Sequence, residues 1–265
     1  MDESLVLEII DLYSVPNISL SYLSKHFNIP IKKIRKILVD HNVKIKTLSE
    51  MYTKPFDSKF FDVIDTEEKA YWLGFIYADG YVTKTVFGIK LKDSDTCHLE
   101  KLKSALKSEH SIGHYINTSG YGGVFKPTAL CSFSIDNKHF VDALIKNGVV
   151  YNKSKILTFP TKDIVPDYLL HHFIRGYFDG DGSVYFTPPH GYINISFEGT
   201  ELFLNEVLKI FNDISGTKAK LYESKGTIKS LRVGGSRQVK AIYDYMYKDA
   251  TVFLGRKKER FDNYF

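Results

Sequence analysis

The chain has 265 residues, 43% hydrophobic and 14% aromatic, enough to bury a sizeable core in one or two domains plus a small appendage. Charged residues make up 25% and are well mixed, which excludes a disordered chain, and the net charge of +5 is compatible with a polyanionic partner without demanding one. No apolar run reaches the roughly twenty residues of a membrane span, and the start Met1-Asp2-Glu3-Ser4 lacks the basic-then-apolar order of a signal peptide. The two cysteines, Cys97 and Cys131, have no zinc-site spacing, so a reducing intracellular setting is expected.

From the N-terminus, residues Ser4 to Leu12 carry Leu5, Leu7, Ile9 and Ile10 at helical spacing, and Pro16-Asn17 breaks the pattern. Ser19 to Phe27 reads as a second helix opened by a serine cap. Asn28-Ile29-Pro30 is a turn, with Pro30 suited to start a third helix over Ile31 to Asp40. That helix is basic, with Lys32, Lys33, Arg35 and Lys36, and its apolar stripe is Ile31, Ile34 and Leu38. Three short helices with a tight turn before a basic third one read as a helix-turn-helix DNA-binding module over residues 1–50, whose cations would meet phosphates. Residues 44–54 read as a linker.

The remainder reads as two related halves, 56–150 and 151–265, each ordered helix, strand, strand, helix, strand, strand, helix. In the first, the apolar run Trp72 to Gly80 is followed by strands at Tyr81-Val82-Thr83 and Val86 to Lys92, then by Leu99, Leu102 and Leu106 at helical spacing. A glycine-rich hairpin region at Ser119 to Gly123, a strand over Leu130 to Ile135 and a helix over Lys138 to Lys146 complete it. In the second, His171 to Asp181 leads to strands at Ser183 to Phe186 and Tyr192 to Phe197, with Leu204, Val207 and Phe211 echoing the leucines. Strands at Lys220 to Tyr222 and Ser230 to Val233 and a helix over Gln238 to Tyr247 follow. Asn152 to Pro166 joins the halves, and the tail from Asp249 carries Arg256, Lys257, Lys258 and Arg260. Helices on one face of each antiparallel sheet would leave the other face polar and basic, with Lys84, Lys90, Lys92 and Arg232, a surface fit to enter a DNA groove.

Two stretches organise this repeat: Leu73-Gly74-Phe75-Ile76-Tyr77-Ala78-Asp79-Gly80 and Arg175-Gly176-Tyr177-Phe178-Asp179-Gly180-Asp181-Gly182. The spacing from Gly74 to Gly176 equals that from Asp79 to Asp181. A glycine inside an apolar helix lets its backbone approach a partner helix closely. If Gly74 and Gly176 share one seam, both helices end together and Asp79 meets Asp181. Two carboxylates forced together repel unless a divalent cation lies between them. A single such run is an ordinary helix with a glycine cap; the two copies in one register carry the functional reading. Asp179, replaced by Tyr77 in the first copy, is given no catalytic role.

On these two motifs and the shared repeat, residues 56 to 262 resemble the single-chain LAGLIDADG homing endonucleases with two motif copies. The resemblance implies an α+β fold of two pseudo-symmetric αββαββα halves with saddle-shaped antiparallel sheets over DNA. It implies that Asp79 and Asp181 hold Mg2+ or another divalent cation with the backbone carbonyls of Ala78 and Gly180, and that Gly74 and Gly176 are the close-packing positions. The implied activity is hydrolysis of one phosphodiester in each strand of a long, roughly pseudo-palindromic duplex, by a monomer, in the cytoplasm or in the organelle or infected cell hosting the element. A basic residue is expected near each site, and Lys138 and Arg237, at the starts of matching helices, are the candidates. Arg175 stands where the family has a small residue and is expected to leave the seam for solvent or DNA. The helix-turn-helix lies outside the family core, as an added DNA-binding module.

A second class of function shares this scaffold: a non-cleaving nucleic-acid binder, either an RNA-splicing maturase or a transcription regulator. An intein is not expected, because the chain starts with Met1 and ends at Phe265 without a terminal nucleophile or a His-Asn ending.

Overall fold

Contacts divide the chain into two units, Met1–Pro55 and Phe56–Phe265. The computed structural model describes residues 2–15, 18–46, 54–118, 127–189, 191–216, 219–224 and 226–265. The break expected at Pro16-Asn17, most of the expected linker and the glycine-rich hairpin at 119–123 lie outside the described residues.

The first unit holds α1 (Glu3–Ser14), α2 (Leu20–Phe27) and α3 (Ile31–Asp40). The Asp2 carboxylate caps α1 by accepting from the Ser4 N–H, and the Ser19 hydroxyl caps α2 by accepting from Tyr22 N–H at 3.1 Å. Asn28 closes α2 in the left-handed conformation, which its short polar side chain tolerates, and Pro30 then opens α3. Val6, Ile9, Tyr13, Leu23, Ile34, Ile37 and Leu38 form a separate small core. Two expected positions are corrected: Ile31 is 44% exposed and Leu7 57% exposed. The inward stripes run instead through Ile34, Ile37 and Leu38 and through Val6, Ile9 and Tyr13, with Ile31 at the first position of its helix.

The second unit is α+β. Its first half runs α4 (Glu67–Asp79), β1 (Gly80–Val82), β2 (Val86–Lys92), α5 (Thr96–Ala105), β3 (Gly113–Asn117), β4 (Thr128–Asp136) and α6 (Lys138–Lys146). The second runs α7 (Leu170–Asp181), β5 (Gly182–Thr187), β6 (Tyr192–Gly199), α8 (Glu201–Ser215), β7 (Lys220–Glu223), β8 (Lys229–Gly234) and α9 (Ser236–Tyr247), and α10 (Gly255–Asp262) follows. Each half contributes one four-stranded antiparallel sheet, ordered β1-β2-β4-β3 and β5-β6-β8-β7. The registers match: Gly80 pairs with Ile89, and Gly182 pairs with Phe197. Alternating burial along β4 and β6 turns Cys131, Phe133, Ile135, Ile193, Ile195 and Phe197 toward the helices and leaves the other face open.

The motif helices α4 and α7 lie at the centre. Every residue from Ala70 to Ala78 is buried, as is every residue from His172 to Asp179. A helix apolar on all sides belongs inside a core. Their backbones touch at the glycines. A Cβ on Gly74 would fall 2.0 Å from the Phe173 carbonyl oxygen, and one on Gly176 would fall 1.9 Å from that of Tyr71. No side chain fits either gap.

Arg175 does not leave the seam, contrary to expectation. It is fully buried, with its guanidinium donating to Glu67 at 2.7 Å, to the Met246 carbonyl at 2.7 Å and to the Val252 carbonyl at 3.0 Å. It also donates to His172 Nδ1 at 2.8 Å and stacks over the Tyr71 ring. The planar fork finds a partner for nearly every N–H, which is what makes a buried guanidinium tolerable. Burial and this charge push His172 down to about 4, so it stays neutral and can accept.

Candidate catalytic site at the helix seam

Both motif helices run straight into a strand, and the acid is the last helical residue in each. Gly80 and Gly182 make the exits in extended backbone. Space rather than a left-handed bend demands glycine there: a Cβ would fall 2.8 Å from the Ile76 carbonyl oxygen in the first and 2.6 Å from that of Phe178 in the second. The crossing at Gly74 and Gly176 fixes where the helices end. A Cβ on Gly180 would sit 2.2 Å from the Ala78 Cβ and 3.3 Å from an Asp79 carboxylate oxygen. The two acid-bearing ends are therefore side by side.

The electrostatics follow from that crowding. Burial and the Asp181 charge push the Asp79 carboxyl up to about 6, while Lys153, Lys257 and Arg256 pull against the rise. Asp181 is open to solvent on one side, but the surrounding protein and Glu198 raise its carboxyl too, against Lys153 and Lys257. Two lysines complete the arrangement. Lys153 donates to the carbonyls of Ile76, at 2.9 Å, and Ala78. Lys257, 5% exposed on the first turn of α10, donates to Phe178 at 2.6 Å, Gly180 at 3.1 Å and Gly182 at 2.6 Å. Each ammonium thus sits on the negative end of one motif helix. Burial pushes both lysines down to about 8.

Lys153 rests on the first motif helix and feels both Asp181 and Asp79, and both acids feel Lys153 before Lys257. Lys257 rests on the second and feels Asp179 most, then Asp79 and Asp181. A cleft of about 240 Å3 is lined by Ala78, Lys153, Tyr177, Asp181, Glu198 and Thr200. A second, of about 260 Å3, is lined by Gly182, Ser183, Val184, Arg256, Lys257 and Arg260.

The other expected residues fall elsewhere. Lys138 is exposed on the outer turn of α6 and paired with Asp142 at 2.7 Å. Arg237 is exposed on the first turn of α9. The cations that act most strongly on the two acids are Lys153 and Lys257, not these two. Lys153 lies in the connector between the halves and Lys257 in a tail helix of mostly charged residues. The signal that points to them is spacing: each lies at nearly the same distance beyond its motif acid.

On the open faces of the sheets, Lys90 and Lys92 are exposed between buried Ile89 and Leu91, and Arg232 is exposed between Leu231 and Val233. Lys84 is exposed in the turn between β1 and β2. Sequence reasoning missed the aromatics beside them. Lys90 lies over the Tyr81 ring and Arg232 over the Tyr222 ring, at 5.8 and 5.3 Å from the centroids. Tyr115 on β3, Tyr185 and Phe186 on β5 and Tyr192 on β6 are exposed as well. On α3, Lys32, Lys33, Arg35 and Lys36 are all exposed.

The seam fits a divalent cation. Its donors are hard oxygens, two carboxylates and the carbonyls of Ala78 and Gly180, and the lysine ammoniums on those carbonyls are stand-in cations. Among the described residues no group of three or more His, Cys, Asp or Glu side chains gathers.

Residues 169–246 match the family described as LAGLIDADG-like domain. No curated protein matches the chain. Among solved structures, the homing endonuclease I-WcaI bound to its DNA recognition sequence is 12% identical, with a TM-score of 0.55 over 75% of this chain and 87% of that one. The LAGLIDADG meganuclease I-AabMI bound to uncleaved DNA is 15% identical, with a TM-score of 0.45 over 72% and 88%. Full-length DUF199/WhiA from Thermatoga maritima is 16% identical, with a TM-score of 0.47 over 78% and 63%.

Proposed function

A LAGLIDADG-like domain set in the fold of a homing endonuclease is the premise from which we propose that this chain is a sequence-specific, Mg2+-dependent endonuclease cutting both strands of duplex DNA. The observation that carries the reading is the pair of half-sites at one seam. Each has a lysine lying on the final carbonyls of one motif helix, and the two terminal acids meet side by side there.

Asp79 and Asp181 would hold the cations, with the Ala78 and Gly180 carbonyls as further oxygen donors. A divalent cation bound there polarises the scissile phosphate and lowers the pKa of an attacking water. The protein's own residues do the rest. Lys153 and Lys257 are held near 8, so they exchange protons close to neutral pH, which suits transfer to or from water and the leaving oxygen. Lys84, Lys90, Lys92 and Arg232, with Tyr81 and Tyr222, would contact phosphates and base edges. The basic face of α3 adds a helix-turn-helix contact that is mainly to phosphates.

The test is incubation with a randomised duplex library in Mg2+ or in EDTA, followed by sequencing of the ends. Paired cuts on the two strands at one recurring sequence, in Mg2+ only, are expected. Bound but uncut DNA in both conditions would instead mark a non-cleaving binder on the same scaffold.

A further inference from the structure

The fifth position of the motif is Tyr77 in the first copy and Asp179 in the second. The two look unrelated, yet both reach the same kind of target. Tyr77, buried, donates its hydroxyl to the Asn147 carbonyl at 2.6 Å. Its ring packs so tightly against Gly148 that a Cβ there would fall 1.9 Å from the hydroxyl oxygen. Asn147 caps α6, and the chain continues from it to Lys153. Asp179, also buried, accepts from the Leu254 backbone N–H at 2.7 Å, with Tyr71 and Tyr247 donating to it at 2.7 and 2.6 Å. Leu254 caps α10, and its carbonyl accepts from the Lys257 N–H at 3.0 Å. In each half the motif helix grips the segment between that half's last helix and its lysine. One grip donates to a carbonyl and the other accepts from an N–H.

We propose that Tyr77 and Asp179 are positioning residues, each holding one lysine-bearing segment so that Lys153 or Lys257 reaches its own half-site. This rests on the endonuclease reading for its effect on cleavage, though not for its effect on the lysines. Because the grips are separate, loosening one misplaces one lysine. Tyr77→Phe removes a single hydroxyl and spoils the Lys153 half-site, whereas Asp179→Leu removes the acceptor and spoils the Lys257 half-site. Asp179→Asn keeps an acceptor for Leu254 while removing the charge that Lys257 feels most, so wild-type labelling of Lys257 in it is expected from positioning and labelling as fast as in Asp179→Leu would overturn the proposal.

Two measurements on the full chain test this, with folding checked by circular dichroism. The first is labelling by an amine-reactive reagent, read peptide by peptide by mass spectrometry without DNA. Tyr77→Phe is expected to speed labelling of Lys153 about fivefold and leave Lys257 unchanged, the size that loss of one hydrogen bond supports. Asp179→Leu is expected to do the reverse. The second is strand-resolved cleavage, in which the two variants become nickases for opposite strands. Equal acceleration of both lysines, no acceleration in a folded Tyr77→Phe variant, or slowing of the same strand by both variants would overturn the proposal. A wild type that cuts no DNA would refute the endonuclease reading, while labelling would still decide the positioning role. Should Asp179→Leu not fold, Tyr77→Phe decides alone.

Discussion

A carboxyl crowded against another at a helix end holds its proton more tightly than one in water, and Asp79 does so up to about 6. A folded-state pKa above the unfolded 3.8 means that the folded chain binds the extra proton, so this group favours folding increasingly as the pH falls from about 6 toward 4. Above 6 the charged, crowded form is a net cost, at most about 3 kcal/mol at about 1.4 kcal/mol per unit. The lysines, held near 8, titrate above that window. Asp79→Asn is therefore expected to raise the melting temperature at pH 7.5 without divalent metal, and the gain should fade by pH 4. Equal melting at both pH values would contradict a carboxyl raised by burial and by the Asp181 charge. For the lysines, Lys153→Met and Lys257→Met are each expected to slow cutting of one strand by about 100-fold or more, the usual size of a lost proton-transfer group. Single-turnover assays on strand-labelled DNA read this, and a Lys138→Met control should cut both strands normally.

At the scale of elements, the seam has no room for a methyl group. Gly74→Ala and Gly176→Ala would each press a Cβ within about 2 Å of a backbone oxygen, so the helices must separate. Each change is expected to cost about 2–4 kcal/mol in urea unfolding, the upper part of the range for core overpacking. A change below about 0.5 kcal/mol, no more than an ordinary surface substitution, would contradict the contact. The same crowding explains what was legible in the sequence. A glycine and an acid repeated in one register mark a seam and its end, and α6 has a sharp periodic pattern opened by the Asn137 cap. Strand β3 was not placed, because an edge strand with no buried face shows no alternation. Helix α10 was missed because its two buried residues are Lys257 and Phe261, one of which looks like a surface charge. Lys153 and Lys257 were not singled out for a related reason. Lys138 and Arg237 occupy matching helix starts, but the segments that turn back to the seam come after those helices, and only long-range contacts bring them there.

At the scale of the whole molecule, the two units have separate cores, and the small one presents four exposed cations on α3. If these meet phosphates, deleting residues 1–55 should weaken DNA binding and flatten the slope of log K against log salt by up to about 3 to 4, near 0.9 per phosphate contact. An unchanged slope would mean that the module serves another partner. The central claim concerns the seam, and the most direct measurement is strand-resolved cleavage of the recovered target in Mg2+ by Asp79→Asn and Asp181→Asn. Each variant is expected to bind the target nearly as wild type does and to cut neither strand; cutting by either one at the wild-type rate would contradict the shared-cation site.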